Sequence, residues 1–292
     1  LAPMMNLSGA VLSQYRRSVY DKGDVEDVER KIREFFQIKE EQAENIKKAE
    51  SFSAARTYAD ITVSESIYKM IRYCQLEKGI VVIDGDAGIG KTKAATKFLR
   101  DNPSTTVYVS VTPSTSSVRS LLREIARYLK ISENQRTEDL SISIRERLRS
   151  ADNVLIIDEA QCLKYLALEE IRGWVDEDPI TGKPGIGIVL IGNDEVYNKM
   201  LGRQEAIFSQ QFNRTKLHGR YRTANVTAAD IRKLFQVLVQ QGMEKELDYL
   251  FRVAQSKWGT RGAVNVYTAA ANNQDVSLEG LQKVTGPLGI YL

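Results

Sequence analysis

The fold of this 292-residue chain is decided by the stretch Gly85-Asp86-Ala87-Gly88-Ile89-Gly90-Lys91-Thr92. It fits the pattern G-x-x-x-x-G-K-[ST], a phosphate-binding loop that joins a buried strand to a helix N-terminus. Its glycines let the backbone curl, so that successive N–H groups and the following helix dipole face phosphate oxygens. The apolar run at residues 80–83 supplies the strand that precedes such a loop. The stretch predicts a nucleotide site, the alternative being an ordinary glycine-rich turn.

Two residue types at the end of this loop predict specific roles. Lys91 adds a positive charge for the β- and γ-phosphates, and Thr92 places its hydroxyl on Mg²⁺. The residues of the loop that we expect to contact the nucleotide are Asp86, Ala87, Gly88, Ile89, Gly90, Lys91, Thr92 and Lys93.

Composition restricts the class of protein further. Two cysteines and one histidine exclude a zinc framework and argue against a disulfide scaffold, which fits a reducing cytosol. No apolar run approaches the roughly 18 residues of a membrane span, and the N-terminus lacks the apolar region of a secretory signal. We therefore expect a cytoplasmic protein with no membrane partner. A net charge of +3 is only mildly basic, so a nucleic-acid surface would require local clustering of charge.

Strands and helices alternate from residue 79 onward, which predicts a mostly parallel sheet covered by helices on both faces. Apolar runs predict strands at residues 79–84, 105–111, 153–158 and 186–192. This is the α/β layout of a P-loop NTPase. Beyond residue 222 the pattern predicts helices alone, which we interpret as a small helical lid.

The strand at residues 153–158 ends in two carboxylates, Asp158 and Glu159, a pattern typical of the Walker B element of nucleotide sites. Asp158 should hold Mg²⁺, directly or through water, and Glu159 should orient and deprotonate the attacking water. The alternative is a strand end with solvated carboxylates. Asn193, after the strand at 186–192, is expected either to hydrogen-bond the water or γ-phosphate or to begin a turn.

The first 50 residues predict a separate basic and helical unit. Ser8 can cap a helix at residues 9–19, and a second amphipathic helix begins at Val25. This pair favours part of a helix-turn-helix, and the alternative is a helical hairpin with a solvated basic face. The DNA contacts predicted on the first helix are Ser13, Gln14, Arg16 and Arg17.

Residues 39–48 are rich in Glu, Lys and Gln and are typical of a solvated helix end or linker. We place a domain boundary there. The predicted organisation is a helix-turn-helix-like domain with its linker at residues 1–50, an ATPase core at residues 51–225 and a helical lid at residues 226–292.

Four segments carry a resemblance to a known family. They are the phosphate loop, Val-Ser-Val-Thr-Pro-Ser at 109–114, Ile-Ile-Asp-Glu-Ala-Gln at 156–161 and Val-Leu-Ile-Gly-Asn at 189–193. Together they resemble AAA+ ATPases, and more narrowly the family of the bacteriophage Mu B transposition protein and the related TnsC-type regulators. Residues 7–24 also resemble the helix-turn-helix of that family, which favours the helix-turn-helix interpretation.

The resemblance implies a protein that uses ATP and Mg²⁺, binds double-stranded DNA largely without sequence preference and forms helical filaments or rings on it. It implies delivery of target DNA to a DDE transposase, stimulation of strand transfer and disassembly on ATP hydrolysis, in a bacterial cytoplasm. Two other functions remain open. An AAA+ ATPase of secretion or signalling is disfavoured by the helix-turn-helix, and a DNA-binding regulator with little hydrolysis is disfavoured by Asp158 and Glu159.

The resemblance also implies residues that act at a site shared between subunits. Arg214, at the end of the matching segment 208–214, takes the position of an arginine finger, with Arg220 and Arg222 as nearby alternatives. The family's second sensor arginine falls on Asn265 here, so either Arg261 substitutes for it or the lid senses nucleotide weakly.

The DNA surface implied by the resemblance lies on the loop and helix after the second strand. Its predicted contacts are Thr112, Ser114, Thr115, Ser116 and Arg119. A second basic cluster, Arg145, Arg147 and Arg149, is either a further contact or a solvated helix face. Because such contacts are to phosphates, they give affinity without sequence information and a steep dependence on salt.

Overall fold

The computed structural model describes residues 5, 7–17, 19–20, 23–51, 58–150, 152–179, 181–201 and 214–291. Side chains are described for the same residues except 42–51 and 200–201. The chain forms two compact units, residues 1–54 and residues 55–292.

The N-terminal unit contains two helices, α1 (Gly9–Arg16) and α2 (Val25–Ser51), among its described residues. The Ser8 hydroxyl oxygen caps α1 by accepting the Val11 N–H at 3.2 Å, as the sequence predicts. Helix α1 ends earlier than the predicted residue 19. Helix α2 instead continues through residues 39–48, because the Glu, Lys, Gln and Ala that fill this stretch are strong helix formers. The assignment of this pair to a helix-turn-helix stays a prediction.

The second unit is built on a sheet of strands β1 (Gly79–Gly85), β2 (Thr106–Ser110), β3 (Val154–Asp158), β4 (Gly187–Ile191) and β5 (Thr215–Tyr221). Within the described residues this is one five-stranded sheet in the order β2-β3-β4-β1-β5, and every neighbouring pair is parallel. The carboxyl ends of all strands therefore meet at one edge, where ligands bind in open α/β sheets.

Helices cover both faces of this sheet, because neighbouring residues of each strand point to opposite sides. Val81 of β1 belongs to a core cluster with Ile67 and Phe98, while Val82 belongs to a second cluster with Leu122. The helices on the first face include α3 (Thr62–Glu77) and α4 (Lys91–Asp101). Those on the second face include α5 (Val118–Leu129), α6 (Thr137–Arg149), α7 (Tyr165–Arg172) and α8 (Asp194–Leu201).

Of the five strands, β5 is the one that the apolar pattern of the sequence does not predict. Its residues, Thr-Lys-Leu-His-Gly-Arg-Tyr, are mostly polar and lack the apolar run of the other strands. It lies at the edge of the sheet, paired to β1 in the register His218 with Val82. Part of its attachment is polar: His218 Nε2 lies 2.9 Å from Oδ2 of Asp84, and the Arg220 Nε donates to Oδ1 of the same fully buried carboxylate at 3.2 Å.

The C-terminal part is helical, with α9 (Ala228–Leu234), α10 (Gln236–Gln240), α11 (Glu244–Gln255), α12 (Gly259–Asn272) and α13 (Leu278–Thr285). Buried Leu250, Val266 and Leu281 join the first core cluster, so these helices pack with the sheet in one unit. Asp230 in α9 accepts hydrogen bonds from the N–H and hydroxyl of Thr62, at 2.7 and 2.9 Å. Over the ranges that the structure describes, no helix has the length and apolarity needed to span a membrane.

Candidate active site

The phosphate loop joins β1 to α4, and its glycines adopt conformations that other residues rarely take. Gly88 has φ +78° and Gly90, the N-cap of α4, has φ +105°. A Cβ atom on Gly88 would lie 2.8 Å from the carbonyl oxygen of Trp258. The left-handed backbone alone would cost a substituted residue about 1–2 kcal/mol. Glycine is therefore needed at position 88 both for the backbone conformation and for close contact with the lid.

Lys91 lies folded against this loop. Its Nζ donates to the carbonyl oxygens of Gly85 and Asp86, each at 2.8 Å. Burial lowers the pKa of the ammonium group, and the nearby carboxylates of Asp158 and Glu159 oppose that shift. Lys91 thus places a partly desolvated positive charge where the β- and γ-phosphates of a nucleotide are expected.

Asp158 is buried at the carboxyl end of β3 and collects three hydrogen bonds. Its Oδ2 accepts from the hydroxyls of Thr92 and Tyr108, both at 2.7 Å, and its Oδ1 accepts from the Glu159 N–H at 2.9 Å. The predicted pair, Thr92 and Asp158, is therefore in direct contact. Tyr108 is an addition that no sequence pattern singles out.

These oxygen donors fit Mg²⁺, which prefers hydroxyl, carboxylate, water and phosphate ligands and usually keeps several waters. Among the described residues no group of three or more His, Cys, Asp or Glu side chains could hold a metal. A metal held by Thr92 and Asp158 would therefore need waters and nucleotide phosphates to complete its coordination, as is usual for Mg²⁺ in nucleotide sites.

Glu159 follows Asp158 in a left-handed conformation, with φ +55°, at the start of the 3-10 turn Ala160–Cys162. The Gln161 side chain donates from Nε2 to Oε2 of Glu159. A Cβ atom on Gly192, the residue after β4, would collide with Oε1 of Gln161. Glycine at this position therefore leaves room for the Gln161 side chain. Gln161 belongs to the segment at 156–161 but had no predicted role of its own.

Asn193 lies at the end of β4, exposed and beside the cavity. Its Oδ1 accepts the Glu195 N–H at 3.0 Å, which is the turn-forming role considered for it. Asn193 also lines the cavity, and its hydrogen bond to the water or γ-phosphate stays a prediction.

A cavity of about 840 Å³ brings these groups together. The predicted nucleotide residues that line it are Ala87, Gly88, Ile89, Gly90, Lys91, Thr92, Lys93, Asp158, Glu159, Asn193 and Arg261. Tyr58, Ala59 and Ile61, which precede α3, form part of its wall, as do Leu234 and Val264 of the lid. The site therefore has a polar end at the phosphate loop and an apolar end between the lid and the start of α3.

Asp86 was predicted to contact the nucleotide, but its side chain bonds other residues of the protein instead. Its carboxylate accepts from the Thr223 N–H at 2.7 Å and from Arg222 at 2.9 Å. Burial alone would raise the pKa of Asp86, but these hydrogen bonds together hold it below its usual value. Asp86 thus fastens the phosphate loop to the chain after β5, and its side chain is not a nucleotide contact here.

The lid touches the phosphate loop directly through the first turn of α12. Gly88 O accepts from the Thr260 hydroxyl at 2.7 Å and from the Arg261 N–H at 2.9 Å. Gly259, with φ +63°, permits this approach, since a Cβ there would lie 3.0 Å from Ala87 O and from the Gly88 carbonyl carbon. Arg261 and Asn265 both line the cavity, so the two residues considered for the second sensor are near the nucleotide site.

The three arginines considered for the finger lie at opposite ends of β5. Arg214 precedes β5 and forms a two-point ion pair with Asp176, at 2.8 and 2.7 Å. Arg220 and Arg222 lie at the other end and pair with Asp84 and with Asp86 of the phosphate loop. A strand rises about 3.3 Å per residue, so the seven residues of β5 separate the two ends by roughly 20 Å. Arg214 is therefore remote from the phosphate loop of its own chain. Residues 208–213, the rest of the predicted finger segment, lie outside the described residues.

The predicted DNA loop contains the 3-10 turn Pro113–Thr115. Thr112, Ser114 and Thr115 cluster there, with the Thr112 hydroxyl 2.8 and 3.1 Å from the hydroxyls of the other two. Ser116 is buried, and its hydroxyl donates to Pro113 O at 2.9 Å. The structure therefore corrects the prediction at Ser116, because a buried hydroxyl committed to a backbone oxygen cannot meet a phosphate.

Arg119 and the second basic cluster are also partly committed within the chain. Arg119 donates to Thr137 Oγ1 at 2.9 Å and to Gln135 O at 3.1 Å. Arg149 pairs with Asp178 at 2.9 Å, and its side chain is only 9% exposed. It is therefore not placed to contact DNA, contrary to the prediction. The Nε of Arg145 is buried, while Arg147 is exposed.

In the N-terminal unit, the four residues predicted to contact DNA are all exposed. Ser13, Gln14 and Arg16 lie on α1, and Arg17 is its C-cap. Two of the four, Arg16 and Arg17, are cations at the end of α1, and the contact of these four residues with DNA stays a prediction.

The parallel sheet, the phosphate loop and the carboxylates at the end of β3 define a P-loop ATPase domain of the AAA+ class. Residues 74–200 match the AAA domain family. The fold resembles the ORC2 protein of Aeropyrum pernix, with a TM-score of 0.56 at 16% identity over 76% of this chain and 66% of that one. It also resembles Cdc6p of Pyrobaculum aerophilum, with a TM-score of 0.52 at 19% identity over 74% and 62% of the two chains.

Sequence comparison identifies the family more narrowly. The chain is 34% identical over 203 residues to the Mu-like prophage FluMu DNA transposition protein B of Haemophilus influenzae, covering 69% of this chain and 66% of the relative. It is 31% identical over 206 residues to the ATP-dependent target DNA activator B of Escherichia phage Mu, covering 70% and 63%. The chain belongs to the family of these Mu-type transposition B proteins, and the matches span a little under two thirds of each relative's length.

Proposed function

We propose that this protein is an ATP-hydrolysing regulator of DNA transposition. It binds double-stranded DNA with ATP, assembles on it as a helical filament or ring, delivers it to a DDE transposase and stimulates strand transfer. ATP hydrolysis then drives disassembly. The observation that carries the proposal is the convergence of Lys91, Thr92, Asp158 and Glu159 on one cavity in a chain homologous to an ATP-dependent target DNA activator.

The geometry supports ATP hydrolysis, because the residues of the cavity are placed for the roles they usually have in P-loop enzymes. The loop N–H groups and Lys91 bind the phosphates, and Glu159, beside Asp158, accepts a proton from the attacking water. Gln161 holds the Glu159 carboxylate at Oε2, so this base has a defined direction. Thr92 and Asp158 would hold Mg²⁺, which when bound would neutralise charge at the β- and γ-phosphates.

A site shared between subunits is supported by the position of Arg214. It lies roughly one strand length from its own phosphate loop, whereas Arg220 and Arg222 are paired with aspartates beside that loop. Arg214 therefore fits a finger that acts on a neighbouring protomer. Its ion pair with Asp176 would open when the neighbour's nucleotide takes its place, so assembly and completion of the site would be linked.

DNA binding is supported by two exposed surfaces, each on its own unit. One is the hydroxyl-rich loop with exposed Thr112 and Ser114 and partly buried Thr115, and the other is the end of α1, with Arg16 and its C-cap Arg17. The phage and prophage origin of the relatives supports action in a bacterial cytoplasm. Phosphate contacts of this kind predict binding that weakens steeply with salt.

The test measures DNA binding with and without ATP, and the rate of ATP hydrolysis, for three variants. Lys91→Ala removes the phosphate-loop charge and should abolish the ATP-dependent part of DNA binding. Glu159→Gln should bind ATP and DNA but hydrolyse ATP at least about tenfold more slowly, because a removed general base costs about 10²–10⁴-fold at full effect. Lys97→Ala is the matched control, since Lys97 lies on the same helix and pairs with Asp101 away from the loop.

Two results would contradict the proposal. ATP-dependent DNA complexes of undiminished affinity in Lys91→Ala would show that the loop does not bind the required nucleotide. Unchanged hydrolysis in Glu159→Gln would show that another group activates the water.

A further inference from the structure

The hydrogen bonds around Asp158 leave little of its carboxylate available to a ligand. A carboxylate offers about four lone-pair sites. Three are taken, two on Oδ2 by Thr92 and Tyr108 and one on Oδ1 by the Glu159 N–H. A ligand that meets Asp158 in this arrangement must therefore use the remaining site on Oδ1, so the orientation of the carboxylate decides whether it can serve Mg²⁺.

The strand next to Asp158 holds both its backbone and its side chain. Strands β2 and β3 pair with Ser110 opposite Asp158, and the Val111 N–H donates to Asp158 O at 2.9 Å. Two residues before Ser110 on the same strand, Tyr108 reaches Oδ2 at 2.7 Å. The phenol is thus carried by a strand that is itself fixed to Asp158, which makes it a rigid support.

The environment of Tyr108 keeps its hydroxyl a donor. A carboxylate oxygen accepts hydrogen bonds, so the Tyr108 hydroxyl is the donor to Oδ2 of Asp158. Thr92 differs, because its hydroxyl oxygen is itself an expected ligand of Mg²⁺.

We propose that Tyr108 is a positioning residue of the magnesium site, which fixes the Asp158 carboxylate while Thr92 engages the metal. The proposal rests on the proposed function, since it assumes that a magnesium nucleotide occupies the cavity. Carboxylates near metals are commonly held by such partners, whose loss typically costs about 10–100-fold in metal affinity or activity. Tyr108 also lines the cavity, and in this role it acts through Asp158.

The experiment compares Tyr108→Phe, which removes one oxygen and keeps the ring, with Tyr221→Phe. Tyr221 is also half-buried, and its hydroxyl lies 2.8 Å from Ser66 Oγ outside the cavity. Binding of a fluorescent non-hydrolysable ATP analogue is measured by anisotropy in EDTA and over a Mg²⁺ titration. Tyr108→Phe should need about tenfold more Mg²⁺ for half-maximal tight binding, at the lower end of the range for such partners, with unchanged affinity in EDTA.

Far-UV circular dichroism and a thermal melt confirm that each variant is folded. A Mg²⁺ midpoint within twofold of wild type in folded Tyr108→Phe overturns the proposal, as does an equal rise in Tyr221→Phe. If nucleotide binding by the wild type does not respond to Mg²⁺, the proposed function fails and this inference with it. If the wild type responds to Mg²⁺ and the two variants share one midpoint, the inference alone fails.

Discussion

Thr260→Val tests whether the lid supports nucleotide binding through the backbone of the phosphate loop. The Thr260 hydroxyl and the Arg261 N–H both donate to Gly88 O, so this carbonyl points to the lid. Because the peptide bond is trans, the N–H of Ile89 then points the opposite way, away from the lid. The N–H groups of such a loop donate to phosphate oxygens, so we expect the lid contact to orient the Ile89 N–H for this role. Valine has nearly the shape of threonine, so the change removes the hydrogen bond and little else.

The size of the effect follows from the bonds at Gly88 O. Loss of one hydrogen bond costs about 0.5–1.5 kcal/mol, and the oxygen stays bonded to the Arg261 N–H, so no larger penalty is expected. Since about 1.4 kcal/mol is a factor of ten, ATP affinity should fall about two- to twelvefold. Gly259→Ala should cost more. Its left-handed backbone alone costs a non-glycine residue about 1–2 kcal/mol, which corresponds to about five- to thirtyfold, before the close contacts with Ala87 and Gly88 are counted.

The assay is equilibrium titration of each variant with the fluorescent ATP analogue in Mg²⁺. Thr268→Val is the control, because Thr268 lies two turns further along α12 and outside the cavity. An affinity of Thr260→Val equal to that of Thr268→Val would refute the coupling between lid and loop. So would a Gly259→Ala variant that binds as tightly as wild type, because the strain at that position is independent of the hydroxyl.

Two further predictions concern assembly and DNA. If Arg214 acts on a neighbour's nucleotide, mixing Arg214→Ala with Lys91→Ala protomers should recover part of the DNA-dependent ATP hydrolysis that each lacks alone. The control mixes Lys91→Ala protomers with the double variant Lys91→Ala, Arg214→Ala. No recovery at any mixing ratio would exclude this geometry. Arg16→Ala with Arg17→Ala should weaken DNA binding and reduce the slope of log affinity against log salt by up to about two, because each arginine that binds a phosphate accounts for about one unit of slope. The matched control is Arg30→Ala with Arg33→Ala, two cations that pair with acidic residues of α2. If both double variants lower DNA affinity and the salt slope equally, α1 is not a specific contact surface.

The sequence predicted the groups that depend on short, contiguous patterns. A buried strand, a glycine-rich turn and a helix start occupy residues 79–92, and their chemistry requires those residue types in that order. The same holds for the apolar strand that ends in Asp158 and Glu159. The predicted strands at 105–111, 153–158 and 186–192 were confirmed to within about one residue at each end, because buried parallel strands form continuous apolar runs.

Polar contacts between residues far apart in the chain could not be predicted from short sequence patterns. Tyr108 meets Asp158 from 50 residues away, and Asp86 meets Thr223 from 137 residues away. Strand β5 has no apolar run, and part of its attachment is the hydrogen bonding of His218 and Arg220 to Asp84. Each of these depends on which strands become neighbours, which local periodicity does not state.

The same reason explains the corrected predictions. Arg149 and Ser116 have the residue types of DNA contacts, but folding gives Arg149 the carboxylate of Asp178 and buries the Ser116 hydroxyl against Pro113 O. The sequence by itself determined that a nucleotide site of this class is present. Only the tertiary structure decided which polar groups face the nucleotide or solvent and which are used within the protein, because a buried polar group must find its partner wherever the fold provides one.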